Sequence, residues 1–307
     1  MSKFVSGFVS ILGLPNAGKS TLLTALIGSK IAIVTDKPQT TRTALQGVLT
    51  LPDAQIVFLD TPGIHRSSSP INKRMMESVR AALNERDLLL FVVDASQPFG
   101  ENDKRAVALL QNALLQKSEA PVILLFNKTD LLRDKGALLP LIEEYRTLYG
   151  FAEYLPISAR DAQGLDAVRE AVIARLPEGP AYFPPDHVTD QPERFIAAEL
   201  IREKILIETR QEVPHSIAVL IDKWERTPEI TRIYATIYVE KDGQKGIVIG
   251  AGGAMLKKTG TLARREIEEL FGVKVFLDLH VKVQPDWREK PAFLNTLDWR
   301  TMAGSNE

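Results

Sequence analysis

The chain has 307 residues, 45% hydrophobic and 25% charged, which is the composition of a soluble globular protein too long for one compact core. Its formal net charge of −1 excludes a surface that is basic all over, so any nucleic-acid site has to be local. Cysteine is absent, which excludes disulfides and thiolate metal sites, and the four histidines (His65, His187, His215 and His280) stand at no metal-ligand spacing.

Short apolar runs alternate with helical patterns through the first half. Phe8–Leu12, Gln55–Leu59, Leu88–Val93, Val122–Phe126 and Tyr154–Ile157 read as buried strands, with Val48–Leu51 a further strand hairpinned to Gln55–Leu59. Thr21–Leu26, Ile71–Asn84, Asp103–Gln116, Leu138–Leu148 and Leu165–Ala174 read as helices. This α/β order predicts a mixed, mainly parallel sheet with helices on both faces. Pro177–Glu193 then carries five prolines and reads as a linker. After it, Arg194–Glu208 is helical, and Ser216–Glu225 and Arg232–Val239 alternate like paired strands. A short helix at Gly246–Ile249, a long one at Gly253–Phe271 and a strand at Val273–Val283 complete a second, α+β unit. The predicted division is 1–176, a linker 177–193, a second domain 194–290 and a tail 291–307. No run approaches the roughly 20 apolar residues of a membrane span. The N-terminus has no signal-peptide pattern, so a cytosolic protein is expected.

The stretch GLPNAGKST, Gly13 to Thr21, completes the pattern Gly-x4-Gly-Lys-Ser between a predicted strand and a predicted helix. Its glycines let backbone N–H groups curl around an anion, and the helix N-terminus adds positive potential. The candidate phosphate-binding residues are Asn16, Ala17, Gly18, Lys19, Ser20 and Thr21, with Lys19 reaching the β- and γ-phosphates and Ser20 offering its hydroxyl to Mg²⁺. Asp60-Thr61-Pro62-Gly63 ends a strand. Asp60 there suits Mg²⁺ through water, and the Gly63 N–H suits the γ-phosphate. Asn127-Lys128-Thr129-Asp130 ends another, and Asp130 can accept from N1–H and the 2-amino group of guanine, donors that adenine does not offer in that arrangement. Ser158-Ala159-Arg160 follows a third strand, where backbone N–H can face guanine O6. Each short motif is weak alone. Together, in order and at strand ends, they are specific.

These motifs make the first 176 residues or so resemble the Ras-like GTPase domains of the translation-factor-related class. The resemblance implies a first switch containing Thr40 and Thr41. The QTTR pattern favours Thr41 as the hydroxyl that closes on Mg²⁺ beside Ser20 and Asp60. It also implies a second switch from Asp60 to about Arg80, with a Ser-rich, mobile stretch at His65–Pro70. Lys19, Thr41, Asp60 and Gly63 would then carry GTP hydrolysis to GDP and phosphate. Many regulatory GTPases place a water-orienting Gln just after the DxxG glycine. Here that residue is Ile64, so slow intrinsic hydrolysis is expected. Asn16 has two readings: in related GTPases an Asn there helps hold K⁺ near the phosphates, or it shapes the loop.

In the second domain, Gly250-Ala251-Gly252-Gly253 forms a GxxG between two predicted helices, where a KH fold of the second topology (type II) would put the loop that clamps about four single-stranded nucleotides. From Lys241 to Arg265, six basic residues (Lys241, Lys245, Lys257, Lys258, Arg264 and Arg265) face one acid, Asp242. That local excess suits phosphates. A helix–turn–helix with a solvated basic face is the structural alternative. The whole chain resembles the Era family of bacterial GTPases, from GFVSILGLPNAGKST through KPQTTR, DTPG and NKTD to VIGAGG and VKVQPDWR. The resemblance implies binding of GTP and GDP and of single-stranded RNA at the 3′ end of 16S rRNA, and a role in 30S small-subunit assembly. It further implies loose association with the inner membrane face, and a monomer is expected. The family often has a basic residue inside the GxxG loop. Here Ala251 and Gly252 bring no charge, leaving Lys245, Lys257 and Lys258 to compensate. Two other classes fit less well. A nucleotide-independent RNA-binding module would not need Lys19, Ser20, Asp60 and Asp130 intact, and a P-loop small-molecule kinase would not need NKTD or a GxxG domain. Trp287 and Trp299 read as packing anchors for the tail. Single-turnover assays on the isolated chain are expected to show slow phosphate release and no phosphoryl transfer to a second substrate.

Overall fold

The computed structural model describes residues 3–35, 40–63, 70–84, 86–116, 120–209 and 216–299. These form two compact units. The first comprises Met1–Ala32, Thr41–Ser67 and Arg74–Asp190, and the second Ile33–Thr40, Ser68–Lys73 and Gln191–Glu307.

In the first unit, β1 (Val5–Gly13), β2 (Leu45–Thr50), β3 (Ala54–Asp60), β4 (Leu88–Asp94), β5 (Val122–Asn127) and β6 (Glu153–Pro156) build one sheet in the order β2-β3-β1-β4-β5-β6. Only β2 runs antiparallel, hairpinned to β3; the others are parallel. The helices are α1 (Lys19–Ile27), α2 (Pro70–Asn84), α3 (Glu101–Gln116), α4 (Leu138–Leu148) and α5 (Leu165–Ile173). The apolar runs Leu88–Val93 and Val122–Phe126 are buried along their whole length, as strands covered on both faces must be. One core joins Leu89, Phe91, Leu124 and Phe126 to Val107 and Leu110 of α3 and Tyr145 of α4. α1 lies against β1, β2 and β3 and against α5. The parallel strands therefore deliver their carboxyl ends, and the loops after them, to one edge of the sheet.

The proline-rich stretch is held to the first unit from 177 to 190. Buried Gln55 on β3 anchors it: Nε2 donates to the Phe183 carbonyl (2.9 Å) and to Thr50 Oγ1 (3.0 Å), while Oε1 accepts from the N–H groups of Tyr182 (2.6 Å) and Phe183 (2.9 Å). Further along, the Val48 N–H donates to the Val188 carbonyl at 2.8 Å, and Phe183 stacks on His187. Prolines prevent a helix there without preventing docking, because carbonyls and the N–H groups of the non-proline residues remain available.

In the second unit, α6 (Glu193–Glu208), β7 (Ala218–Arg226), β8 (Thr231–Val239), α7 (Asp242–Ile249), α8 (Ala254–Phe271), β9 (Val275–Val283) and α9 (Pro291–Thr296) follow in chain order. The sheet runs β7-β8-β9, antiparallel then parallel. On β8 the alternation of period two buries Ile233, Ala235, Ile237 and Val239, and α8 buries Thr259, Ala263 and Ile267 at helical spacing. Both stripes meet α6 in one core, which also takes in Ile33. In this unit the Val34 N–H donates to buried Glu203 (2.7 Å), and Arg202 donates to the Thr40 carbonyl. Trp287 is fully buried and its Nε1–H donates to the Ser216 carbonyl at 2.9 Å. Residues 64–69, which include Ile64 and all but the last residue of the stretch expected to be mobile, lie outside the described residues.

Gln55→Ala removes four hydrogen bonds at a buried site. It is expected to cost about 2–4 kcal/mol and to open the segment 177–190 to protease ahead of global unfolding. Limited proteolysis and urea unfolding check both effects.

Candidate functional site

Three strand ends and the loop after β6 converge. The P-loop leaves β1 at Gly13 and enters α1 at Lys19. Gly18, at φ +91°, is in the left-handed region, and a Cβ on it would lie 2.3 Å from Asn127 Nδ2. Only glycine fits, by conformation and by space. Asn16 is also left-handed (φ +62°), a region that Asn tolerates better than most residues, so its backbone does shape the loop.

Asn127 ties the motifs together. Its side chain is 2% exposed; Nδ2 donates to the Ala17 carbonyl (2.9 Å) and Oδ1 accepts from the Ala159 N–H (3.0 Å). One amide thus fixes the P-loop and the loop after β6 to the end of β5. Thr61 and Thr129 secure the neighbouring turns, donating to the carbonyls of Ile11 (2.8 Å) and Ile157 (2.9 Å).

At the phosphate end, Lys19 is buried and its Nζ donates to the carbonyls of Leu14 (3.0 Å) and Gly13 (3.3 Å). Burial pulls its pKa down to about 8, against the opposing pull of Asp60. Burial pushes Asp60 up to about 6, partly offset by Lys19 and by hydrogen bonds from Ser20 and the Thr61 N–H. Both charges are desolvated and neither fully compensates the other, an arrangement suited to a multiply charged ligand. Ser20 Oγ donates to Asp60 Oδ2 at 2.6 Å and sits 2.8 Å from Thr41 Oγ1. Thr40 Oγ1 pairs instead with Thr35 Oγ1 at 2.7 Å. The three residues expected around Mg²⁺ are therefore in one cluster. Gly63 lies against the P-loop, where a Cβ would stand 2.8 Å from Pro15 Cα. Thr21 is the third residue of α1 and half-buried.

At the base end, Asp130 Oδ1 accepts from Ser158 Oγ (2.6 Å), and Oδ2 lies 2.8 Å from the Arg160 guanidinium. Lys128 donates to Asp94 Oδ2 at 2.6 Å, which fixes its long stem beside the site. Asp94 and the Arg160 side chain touch these motif residues, contacts that the motif reading missed. Asp94 ends β4 directly opposite Asn127 in the register, so the strand-end rule alone could have found it.

In the second unit the GxxG joins α7 to α8. Gly250, at φ +73°, presses on Met255, where a Cβ would lie 2.7 Å from Met255 Cβ. A Cβ on Gly252 or Gly253 would meet only open space, and Ala251 and Gly252 are exposed. Lys245 is half-buried and Lys257 exposed, while Lys258 pairs with Glu208 at 2.5 Å.

A P-loop sheet with a guanine-type carboxylate, joined to a GxxG unit, defines a GTPase coupled to a nucleic-acid-binding fold. Residues 8–128 match the family model of the 50S ribosome-binding GTPases and residues 212–288 that of the KH domain. The chain is 51% identical over 298 residues to GTPase Era of Geobacter metallireducens, covering 96% of this chain and 98% of that one. It is 46% identical over 298 residues to GTPase Era of Heliobacterium modesticaldum, covering 96% and 97%. Among solved structures, a variant of Aquifex aeolicus Era bound to GDP·AlF4⁻ superposes with a TM-score of 0.92 at 39% identity, over 96% of this chain and 99% of that one. A complex of Era with MgGDPNP and nucleotides 1506–1542 of 16S ribosomal RNA gives the same TM-score, identity and coverage. The chain belongs to the Era family of GTPases. Its expected fold, a Ras-like GTPase domain followed by a KH domain, is the fold observed.

Asn127→Ala unties two loops at once. GDP affinity is expected to fall about 10- to 100-fold, the equivalent of about 1–3 kcal/mol for leaving two buried backbone groups unsatisfied, and a fluorescent-nucleotide titration measures it.

Proposed function

We propose that this GTPase binds single-stranded RNA at the 3′ end of 16S rRNA through its KH unit and acts in 30S subunit assembly, with GTP as the switch. The observation that supports the reading is the presence, in one chain, of a P-loop with NKxD-type motifs and a GxxG junction flanked in sequence by basic residues. The relative holding MgGDPNP and 16S rRNA nucleotides 1506–1542 shares both units over 96% of this chain.

In this reading the N–H groups of Asn16 to Thr21 and the Lys19 ammonium hold the phosphates of GTP or GDP. Asp130 accepts from guanine, with Asn127, Lys128, Ser158 and Ala159 bounding the base. Thr41 and Gly63 close on the γ-phosphate, and its loss releases both switch loops. Ser20, Thr41 and Asp60 suit Mg²⁺: the donors are hard oxygens, and Asp60 Oδ1 is buried without a hydrogen-bond partner among the described residues. Bound there, the ion would neutralise charge on the β- and γ-phosphates. Asn16, exposed in the P-loop, either helps hold K⁺ near the phosphates or only shapes the loop; equal hydrolysis rates in K⁺ and Na⁺ buffers would refute the K⁺ role.

For RNA, Gly250, Ala251, Gly252 and Gly253 give the backbone close approach to the strand, and Lys245, Lys257 and Lys258 supply the charge. Among the described residues no helix is long and apolar enough to cross a membrane. Family membership supports a cytoplasmic monomer with peripheral contact at the inner membrane face.

The primary test is titration of a labelled 16S 3′-end RNA beside a scrambled one, with GDP and with a non-hydrolysable GTP analogue. Sequence-dependent binding that changes with the nucleotide is expected; equal binding in all four cases would refute the switch. Replacing Lys257 and Lys258 together with alanine is expected to weaken binding and flatten the log–log salt slope by about 1.4. An unchanged slope would remove both lysines from the RNA site.

A further inference from the structure

Arg160 is an exposed cation beside Asp130 whose side chain the nucleotide reading leaves without a task. Its side chain is 65% exposed, while that of its partner Asp130 is 7% exposed. Two edges of one guanidinium are in use: Nη2 lies 2.8 Å from Asp130 Oδ2, and Nε donates to Asp161 Oδ1 at 3.1 Å. Ser158 Oγ takes the other Asp130 oxygen at 2.6 Å and itself accepts from the Asp161 N–H at 3.2 Å. Ser158, Arg160 and Asp161 thus form a short chain of contacts that ends on the recognition carboxylate.

Guanine presents two donors, N1–H and the 2-amino group, and a carboxylate meets them with both of its oxygens. A guanidinium offers the same kind of paired N–H groups in a plane. Guanine and Arg160 therefore compete for one acceptor. A nearly buried carboxylate left without a partner is costly, so a cation that covers it stabilises the protein before nucleotide arrives. Asp161 gives that cation a second anchor, so it keeps one ion pair when it leaves Asp130.

We propose that Arg160 is a specificity-tuning residue that occupies Asp130 in place of guanine, is displaced when the base enters, and returns when it leaves. This rests on the assignment of Asp130 to guanine. In consequence Arg160 lowers the affinity for guanine nucleotides and shortens their residence. Its cost falls chiefly on ligands that need both oxygens. Inosine lacks the 2-amino group, so it leaves one Asp130 oxygen to Arg160.

The test compares wild type with Arg160→Ala by measuring dissociation constants for GDP and for inosine diphosphate on the full chain. Thermal melts show that the variant is folded. The expected result is that the preference for GDP over inosine diphosphate rises about two- to fivefold in the variant, the range of an exposed ion pair, and that GDP dissociates more slowly. Because the phosphates are common to both ligands, the ratio cancels any general effect of removing a positive charge. An unchanged or reduced preference, with wild type still binding GDP, would overturn the role of Arg160 alone. Failure of wild type to prefer GDP over inosine diphosphate at all would overturn the assignment of Asp130 to guanine and the inference with it.

Discussion

The nucleotide site depends on one buried amide. Asn127 stands at the end of β5 and reaches the Ala17 carbonyl in the P-loop and the Ala159 N–H in the loop after β6. A side-chain amide carries its donor and its acceptor on separate atoms, so one residue can donate to one loop and accept from another. Its place explains why Gly18 has no side chain, since Asn127 fills the space where a Cβ would be. The phosphate loop and the base-contacting loop belong to elements far apart in sequence. Their separation is set by this residue together with the parallel register of β1, β4 and β5.

Around that fixed frame, the charges are left incompletely paired. Lys19 and Asp60 are both buried, and burial dominates the shift of each pKa toward neutrality. Lys19 is held by backbone carbonyls, which accept its protons but carry no full negative charge. Such a site is expensive to maintain and gains from an anion and a hard cation together. The hydroxyls of Ser20 and Thr41 add oxygen donors without adding charge. At the base end the logic is reversed: Asp130 is satisfied by Ser158 and Arg160 through contacts that an incoming ligand can replace.

The KH unit separates stiffness from access along its glycines. Gly250 leaves no room for a Cβ beside Met255, while Gly252 and Gly253 leave open space. The core beneath is conventional, with alternating residues of β8 meeting every fourth residue of α8. Lys245 is carried on α7 and Lys257 and Lys258 on α8, helices held by that core.

The sequence by itself determined the order of elements, the two-unit organisation, and the motifs at the strand ends. Hydrophobic runs of strand length and helical spacing are local signals, and the glycine and lysine spacing of a P-loop is nearly so. It also marked Asn127, Asp130, Lys19 and Asp60 as candidate site residues, because their chemistry is tied to short patterns. Tertiary structure decided what is joined across the chain. Gln55 read as one more strand residue, yet it anchors a segment some 128 positions later. Asp94 stood at a strand end and Arg160 in a short motif, but their side-chain partners Lys128 and Asp130 are reached only when the parallel strands and the loops after them stand side by side. Of two adjacent threonines, Thr41 meets Ser20 and Thr40 meets Thr35, a difference that composition does not record. Long-range pairing of polar atoms depends on the path of the whole chain, and no local window of sequence contains it.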